Sequence, residues 1–395
     1  MPHLRPKMTL YDIFGPGFIL NPRASYHNMY WLPDLISQHS ATGGPMPVAG
    51  KLPLLCHHDV TSQAGTSILK DAGLDLAPNR IYYSDKQNYY EVLDSLESAK
   101  EKIIFNCPHL PEEFDYNRYW IDPELIFFLN NKKSLGELVP KENLARREIL
   151  AINDFLKNQF SLNLPFVVKA ATNEPSGGGN NVVICKDEEK LQYAKELLKS
   201  CEFVIIEEYI PINANYCVQF AKTYQGELAY LGGSEQIIQD GVKYKGNWFE
   251  RDHQPPKEVT ELGKVIMEKA VSLGYWGVAG FDIVVGKDNR IMALDLNFRL
   301  NGSTAALLLS ENVMKSLNVS TLKVRSFRTV ISFTKLETFT RNLINQQKLV
   351  PLTIYKPEHP RQNNPIVLRC LLAGNSKNEI LRTEQQIEQM FEIKE

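Results

Sequence analysis

Hydrophobic and polar positions alternate with period two through residues 293–302, ALDLNFRLNG, so the stretch reads as a β-strand. Leu294, Leu296, Phe298 and Leu300 fall on one face, and Asp295, Asn297 and Arg299 on the other. A half-exposed strand ordinarily puts Thr, Lys or Ser on its wet face. Here a carboxylate, an amide and a guanidinium share it. The preceding VAGFDIVV and GKDN predict a hairpin partner and its loop. With a loop at Gly286–Asn289, Val285 pairs with Arg290 and Asp282 stands opposite Ala293. Asp282 is then diagonal to Asp295, on the face of Asp295 and Asn297. A loop of odd length would move Asp282 to the other face.

The same patterning divides the rest of the chain. KLPLLCHHD and EKIIFNCPH read as buried strands, with KQNYYEVLDSLESA as a helix between them. A small α/β domain is predicted over residues 1–130. WIDPELIFFLNNKKSLGEL leads into a helix-rich stretch to about residue 160. PFVVKAA and VVICKD are strands joined by the loop TNEPSGGGNN, and CEFVIIEEYI is a third strand. DEEKLQYAKELLKS is an amphipathic helix, with Asp187 as N-cap and Leu191, Ala194, Leu197 and Leu198 on one face. Further strands are predicted around 216–221 and 228–238. EVTELGKVIMEKAVSLG is a helix closed by Gly274. From about residue 313 the tail alternates helix and strand, with no catalytic motif.

The 395 residues favour two or three domains, and 43% hydrophobic content is ample for their cores. A net charge of −2 excludes bulk attraction to nucleic acid or acidic membranes. The six cysteines form no CxxC pair, which predicts free thiols in a reducing compartment. The N-terminal YDIFGPGFIL is too interrupted for a signal peptide, and no run of about 20 apolar residues predicts a membrane span. A cytoplasmic location is expected.

The chemistry gathers on a few stretches. Asp282, Asp295 and Asn297 offer oxygens from two strands, a donor set for one or two hard cations such as Mg²⁺. Arg299 could grip a phosphate or carboxylate with two parallel hydrogen bonds. A solvated sheet face is the plainer reading of the hairpin alone. Ser176–Asn181, SGGGNN, lets backbone N–H groups approach an anion. It joins two strands, so it is neither a Walker loop nor a GxGxxG turn. Lys169, between FVV and AA, is unusual in a buried strand unless its ammonium meets an anion. In VIIEEYI an apolar strand ends at Glu207, Glu208, Tyr209 and Ile210, where backbone groups could meet adenine and a carboxylate its amino group or a ribose. His57 and His58 at a strand end are a possible substrate site, with polar loop residues as the plainer reading. Tyr244–His253, YKGNWFERDH, is a candidate lid.

Lysine, Gly-rich hairpin, apolar strand ending in Glu, then Asp…Asp-x-Asn-x-Arg: over residues 130–310 this order resembles the ATP-grasp superfamily. The resemblance implies an α/β (α+β) ATP-grasp fold at 131–312, preceded by a pre-ATP-grasp domain at 1–130 and followed by an α+β extension at 313–395. LDLNFRLNGST is similar to the family's metal-binding strand, with Asp295 in place of the usual Glu. Position by position, Lys132 resembles the first nucleotide-phosphate lysine, with Lys133 as the competing alignment, and Lys169 resembles the second. Ser176, Gly177, Gly178 and Gly179 resemble the phosphate loop, and Glu207–Ile210 the adenine hinge. Asn215 stands where many members carry a ribose-binding Glu. The small first domain, NxRxNGST and LLAGNS look like peptide ligases of the pheganomycin-synthesis type.

Such enzymes activate a carboxylate with ATP as an acyl phosphate and pass it to an amine. The resemblance therefore implies ATP, Mg²⁺ with Mn²⁺ as the alternative, and amino acid or peptide substrates. Asp282, Asp295 and Asn297 would hold the metal. Arg299 would stabilise the transferring phosphoryl group, with Lys245 of KYKGN as a further candidate at the γ-phosphate. A homodimer is compatible with it. Two other readings stand beside it: a non-catalytic ATP-binding regulatory protein, and a carboxylase activating bicarbonate for biotin, for which the chain lacks a Met-Lys-Met acceptor segment.

Overall fold

The structure is a computed structural model and describes residues 3–27 and 29–392. Its described strands form three sheets. β1 (Phe18–Asn21), β2 (Leu54–His57), β3 (Arg80–Tyr83) and β4 (Lys102–Phe105) make a parallel sheet ordered β3-β2-β1-β4. Parallel strands need crossover connections, and the expected helix, Lys86–Ser98, supplies one between β3 and β4. Asp85 caps its start by accepting from the Asn88 N–H, and Tyr89 and Leu93 face inward.

β5 (Arg147–Ala151), β6 (Phe166–Ala171), β7 (Val182–Cys185) and β8 (Phe203–Glu208) make an antiparallel sheet ordered β5-β8-β6-β7. The helix Glu188–Leu198 starts at Asp187, as its sequence predicts. It buries Leu191, Ala194 and Leu198 against Val168, Val204 and Ile206, while Leu197 is only partly buried. The stretch expected to be helix-rich up to residue 160 contains β5 instead. Every residue of REILA is intermediate or exposed, so an edge strand paired only to β8 shows no hydrophobic period to read.

The third sheet has eight antiparallel strands: β9 (Ile212–Lys222), β10 (Leu228–Gln239), β11 (Lys243–Glu250), β12 (Gly277–Gly286), β13 (Ile291–Asn297), β14 (Thr321–Thr329), β15 (Leu349–Tyr355) and β16 (Ile366–Gly374). Their order is β13-β12-β9-β10-β11-β14-β16-β15. The helix Lys257–Ser272 covers one side, packing Val259, Ile266, Met267 and Ala270 on Val218, Phe220 and Phe281. It stops at Gly274, whose φ of 102° favours glycine.

This sheet corrects one expectation. Tyr244–His253 is not a lid, because most of it is β11, a central strand hydrogen-bonded on both sides. The tail strands β14–β16 also extend the sheet that carries the site, and residue 313 lies inside the helix Thr304–Leu317. The first sheet and the tail share one hydrophobic core. Six free cysteines and no disulfide are present among the described residues. No described helix is long and apolar enough to cross a membrane.

Candidate active site

The β12–β13 hairpin brings its carboxylates together by a route that simple alternation misses. Val285 pairs with Ile291, not Arg290, so the turn has the odd length that would send Asp282 to the wrong face. A bulge restores it. Ile283 pairs with Ala293 and Asp282 with Asp295, leaving Leu294 as the extra residue. Leu294 therefore leaves the face of Leu296 and Phe298 and packs near Ile210, Val284 and Met292. Asp282 stands directly opposite Asp295 rather than diagonal to it, at the closest spacing an antiparallel ladder gives.

That geometry sets the electrostatics. Burial, then the charge of Asp295, pushes the Asp282 carboxyl up to about 7. Burial also acts on Asp295, but Lys132, Lys169 and Arg299 outweigh it and hold that carboxyl below its usual value. Lys132 makes a short ion pair with Asp295. Gln236 donates to Asp282 Oδ1 at 2.8 Å. Two facing carboxylates with the Asn297 amide beside them form a hard oxygen donor set. This donor set, with its charges facing each other, fits Mg²⁺.

A cavity of ≈ 390 Å³ lies between the β5–β8 sheet and the eight-stranded sheet. Lys132, Lys169, Ser176–Gly179, Glu207–Ile210, Asn215, Asp282, Asp295, Asn297 and Arg299 all line it. Residues far apart in the chain thus converge on one space, of the size that holds a small ligand.

Lys169 Nζ sits 2.5 Å from Glu207 Oε2 and donates to the Leu294 carbonyl at 2.9 Å. The anion expected beside this lysine is therefore, at least in part, the protein's own. Glu207 is buried and also faces Arg147, at 3.7 Å. Its carboxylate is thus engaged from below and is not free to meet adenine or ribose, which corrects that expectation and leaves the backbone of Glu208–Ile210 at the cavity. Glu208 turns to Arg290, at 2.8 Å. The Asn215 Oδ1 is buried and unpartnered.

The glycine loop is bent by Gly178 and Gly179, with φ of 69° and 81°. A Cβ on Gly179 would collide with the Val242 carbonyl, so the loop lies directly on β10–β11 across the cavity. Arg299 holds its other side, donating to the Ser176 carbonyl at 3.1 Å and to Asn130 Oδ1 at 3.0 Å.

Two expectations about lysines resolve. Lys132 lines the cavity, whereas Lys133 lies over the Phe203 ring, 3.2 Å from its centroid, outside it. Lys245 is exposed and does not line the cavity, being the extra residue of a bulge between Tyr244 and Gly246; its neighbour Tyr244 does line it. His57 is buried and stacks on His39 at 4.1 Å, as a packed core residue does.

Sequence reasoning missed the supporting groups. Asn130 Oδ1 accepts from the Phe298 N–H as well as from Arg299, fixing the turn after β13. Asn106 accepts from the Leu300 N–H at 2.8 Å and ties that turn to the first sheet. Gln219 donates to Ser303 and accepts from Thr304, anchoring NGST. None has a local pattern to betray it, because each acts across more than 80 residues.

Two family models match the chain: "L-aspartate--L-methionine ligase, ATP grasp" over residues 145–297, and "L-aspartate--L-methionine ligase N-terminal domain" over residues 9–127. The chain is an ATP-grasp ligase. Its fold is shared by N5-carboxyaminoimidazole synthetase from Staphylococcus aureus complexed with ADP (TM-score 0.60, 12% identity, 99% of each chain). It is also similar to the L-amino acid ligase from Bacillus licheniformis (0.55, 13%, 94% of this chain and 97% of that one). The third is biotin carboxylase from Campylobacter jejuni in a β,γ-ATP complex (0.53, 12%, 93% and 89%). At these identities the solved structures speak for the fold, and the two family matches carry the activity. The ATP-grasp ligase couples ATP to carboxylate–amine ligation, forms ADP, and takes small-molecule substrates.

Proposed function

We propose that the protein is a dipeptide ligase. It would phosphorylate a carboxylate of L-aspartate or a similar acidic amino acid, and join it to the amine of L-methionine or a similar apolar one, with Mg²⁺ as cation. The observation that carries the site assignment is the facing pair Asp282–Asp295, set beside Asn297 in a cavity lined by Lys132, Lys169 and Arg299. The substrate names rest on the two family matches.

A carboxylate is a poor electrophile, because attack by an amine must expel oxide. Transfer of the γ-phosphoryl group from ATP breaks its bond to the β-phosphate oxygen and forms an acyl phosphate. The amine nitrogen then attacks the acyl carbon, the C–O bond to phosphate breaks, and the amine gives up a proton as the amide forms. Little of this is covalent work for the protein; positioning and charge stabilisation dominate. Asp282, Asp295 and Asn297 would hold Mg²⁺, which when bound offsets the charge of the triphosphate. Lys132 would exchange its Asp295 contact for a phosphate oxygen. Lys169 would present its ammonium while held by Glu207. Ser176–Gly179 would cover the phosphates with backbone N–H groups. Arg299, already fixed by Asn130 and Ser176, would meet charge developing on the transferring group. Backbone groups of Glu208–Ile210 would take adenine, and the unpartnered Asn215 carbonyl oxygen would accept from a ribose hydroxyl.

The test is ADP release with Mg·ATP and pairs of amino acids, followed by mass spectrometry of the product. Release that needs both L-aspartate and L-methionine, with a product of their dipeptide mass, is expected. Release with other pairs would overturn the substrate assignment, and release with bicarbonate alone would overturn ligation to an amine.

A further inference from the structure

Arg369 on β16 meets no acid among the described residues. Its neighbours across the ladder are Ser326 on β14 and Thr353 on β15, both uncharged. Its one hydrogen bond among the described residues runs from Nη2 to the Gly302 carbonyl, at 3.2 Å. The cations of the neighbouring strand β14 are matched among the described residues. Lys323 and Arg325 share Glu384, and Arg328 meets Asp34 at 2.6 Å. Arg369 is half-buried, so its guanidinium keeps N–H donors open to an arriving anion.

Its position says what that anion would be near. Gly302 belongs to the turn that follows Arg299, and both line the cavity. Tyr244, also a cavity residue, lies against the same turn, 3.7 Å from where a Cβ on Gly302 would stand. On the other side the guanidinium approaches Gly44 of the N-terminal region; a Cβ there would lie 3.7 Å from Nη1. Arg369 therefore stands at the junction of the first sheet, the eight-stranded sheet and the turn after the metal strand. Both side chains approach Gly302, since a Cβ on it would stand 3.7 Å from Tyr244 and 3.9 Å from Arg369 Nη2.

We propose that Arg369 is a specificity residue that receives a non-reacting carboxylate of an amino acid substrate, holding that substrate beside the phosphoryl-transfer site. The inference rests on the ligase reading above. A guanidinium offers two parallel N–H donors to a carboxylate, and Lys cannot reproduce that fork. Either amino acid carries such a group, the acid that is activated or the one that supplies the amine.

The experiment compares the wild-type chain with Arg369→Gln and Arg369→Lys, using each amino acid and its carboxamide at the non-reacting carboxyl, which for L-aspartate is whichever of its two carboxamides still supports ADP release. Losing one charged pair of hydrogen bonds should raise KM for one amino acid by about 10- to 100-fold in Arg369→Gln, and by less in Arg369→Lys. KM for ATP and for the other amino acid should stay within about twofold. With the carboxamide at the non-reacting carboxyl of the affected substrate, wild type and Arg369→Gln should become nearly equal, which also tells the two sources apart. The same loss on acid and amide, or a change confined to kcat or to KM for ATP, would overturn the inference while leaving the ligase reading intact. If the wild-type chain forms no ADP with any amino acid pair, the ligase reading fails first and this inference falls with it. ADP binding by each variant, read as a thermal shift, separates a folded variant from a misfolded one.

Discussion

The eight-stranded sheet carries two clusters of buried charge, and they are built differently. At one end Glu384 lies between Lys323 and Arg325, with Glu388 completing the set at 3.0 Å from Arg325. At the other, Asp282 faces Asp295 and only Lys132 stands close against the pair. In the first cluster each acid meets a cation and the network is closed. In the second, like charges are set opposite each other beside an open cavity, and burial together with that facing charge lifts Asp282 to about 7. A closed network serves the fold. An open one keeps repulsion that a bound cation would remove, which is the mark of a site.

Substitutions at the two clusters should therefore give opposite signatures. Asp295→Asn should lower turnover by about 10³-fold or more, since it removes an oxygen charge needed only for phosphoryl transfer; a cooperative urea transition should persist. A variant with normal ADP release would break the comparison at its functional end. Glu384→Ala should do the reverse. It strands Lys323 and Arg325 and should cost roughly 3–5 kcal/mol in urea unfolding, with kcat per folded molecule little changed. Asp282→Asn sharpens the contrast. It relieves the facing charges while keeping an acceptor for Gln236, so ligand-free protein should gain roughly 1 kcal/mol in urea unfolding even as turnover is lost.

A pH effect lies beside the first sheet, where His39 of the helix Leu35–Ala41 packs on His57. Burial, then neighbouring His and Arg charge, pushes His39 down to about 2 and His57 to about 3. In the unfolded chain both take up protons below about 6.5, whereas in the fold they do not until far lower. Their contribution to stability should therefore be flat above pH 7 and fall as pH drops through 6 and 5, by at most about 1.4 kcal/mol per unit for each histidine, and because Asp282, raised to about 7, acts in the opposite direction, it is read in the Asp282→Asn background. The urea midpoint at pH 7 and at pH 5 reads this. A higher midpoint at pH 5 would contradict it.

How much was legible follows from where each signal is encoded. Asp282, Asp295, Asn297 and Arg299 were readable because a strand's period of two puts chemistry on one face. Their exact pairing was not: an odd turn and the bulge at Leu294 cancel, and neither leaves a composition signal. Lys169 announced an anion by its apolar flanks, yet the acid that answers it, Glu207, lies on another strand. The helix Glu188–Leu198 and its cap are local and were read correctly; β5 is an exposed edge and was not. Lys245 looked as available as any basic residue near the motif, and only the packing of β11 shows it exposed beyond the cavity. Tyr244–His253 carried the charge and aromatic content of a lid, but its hydrogen bonds are those of a central strand.

The central claim is that Asp282 and Asp295 together hold a divalent cation against the nucleotide. Titration of Mg²⁺ into ADP-saturated protein by calorimetry tests it directly, with Asp295→Asn alongside. The account predicts saturable binding in the wild-type chain, weakened at least about 10-fold in the variant while ADP alone still binds. Equal Mg²⁺ affinity in the two proteins would contradict it.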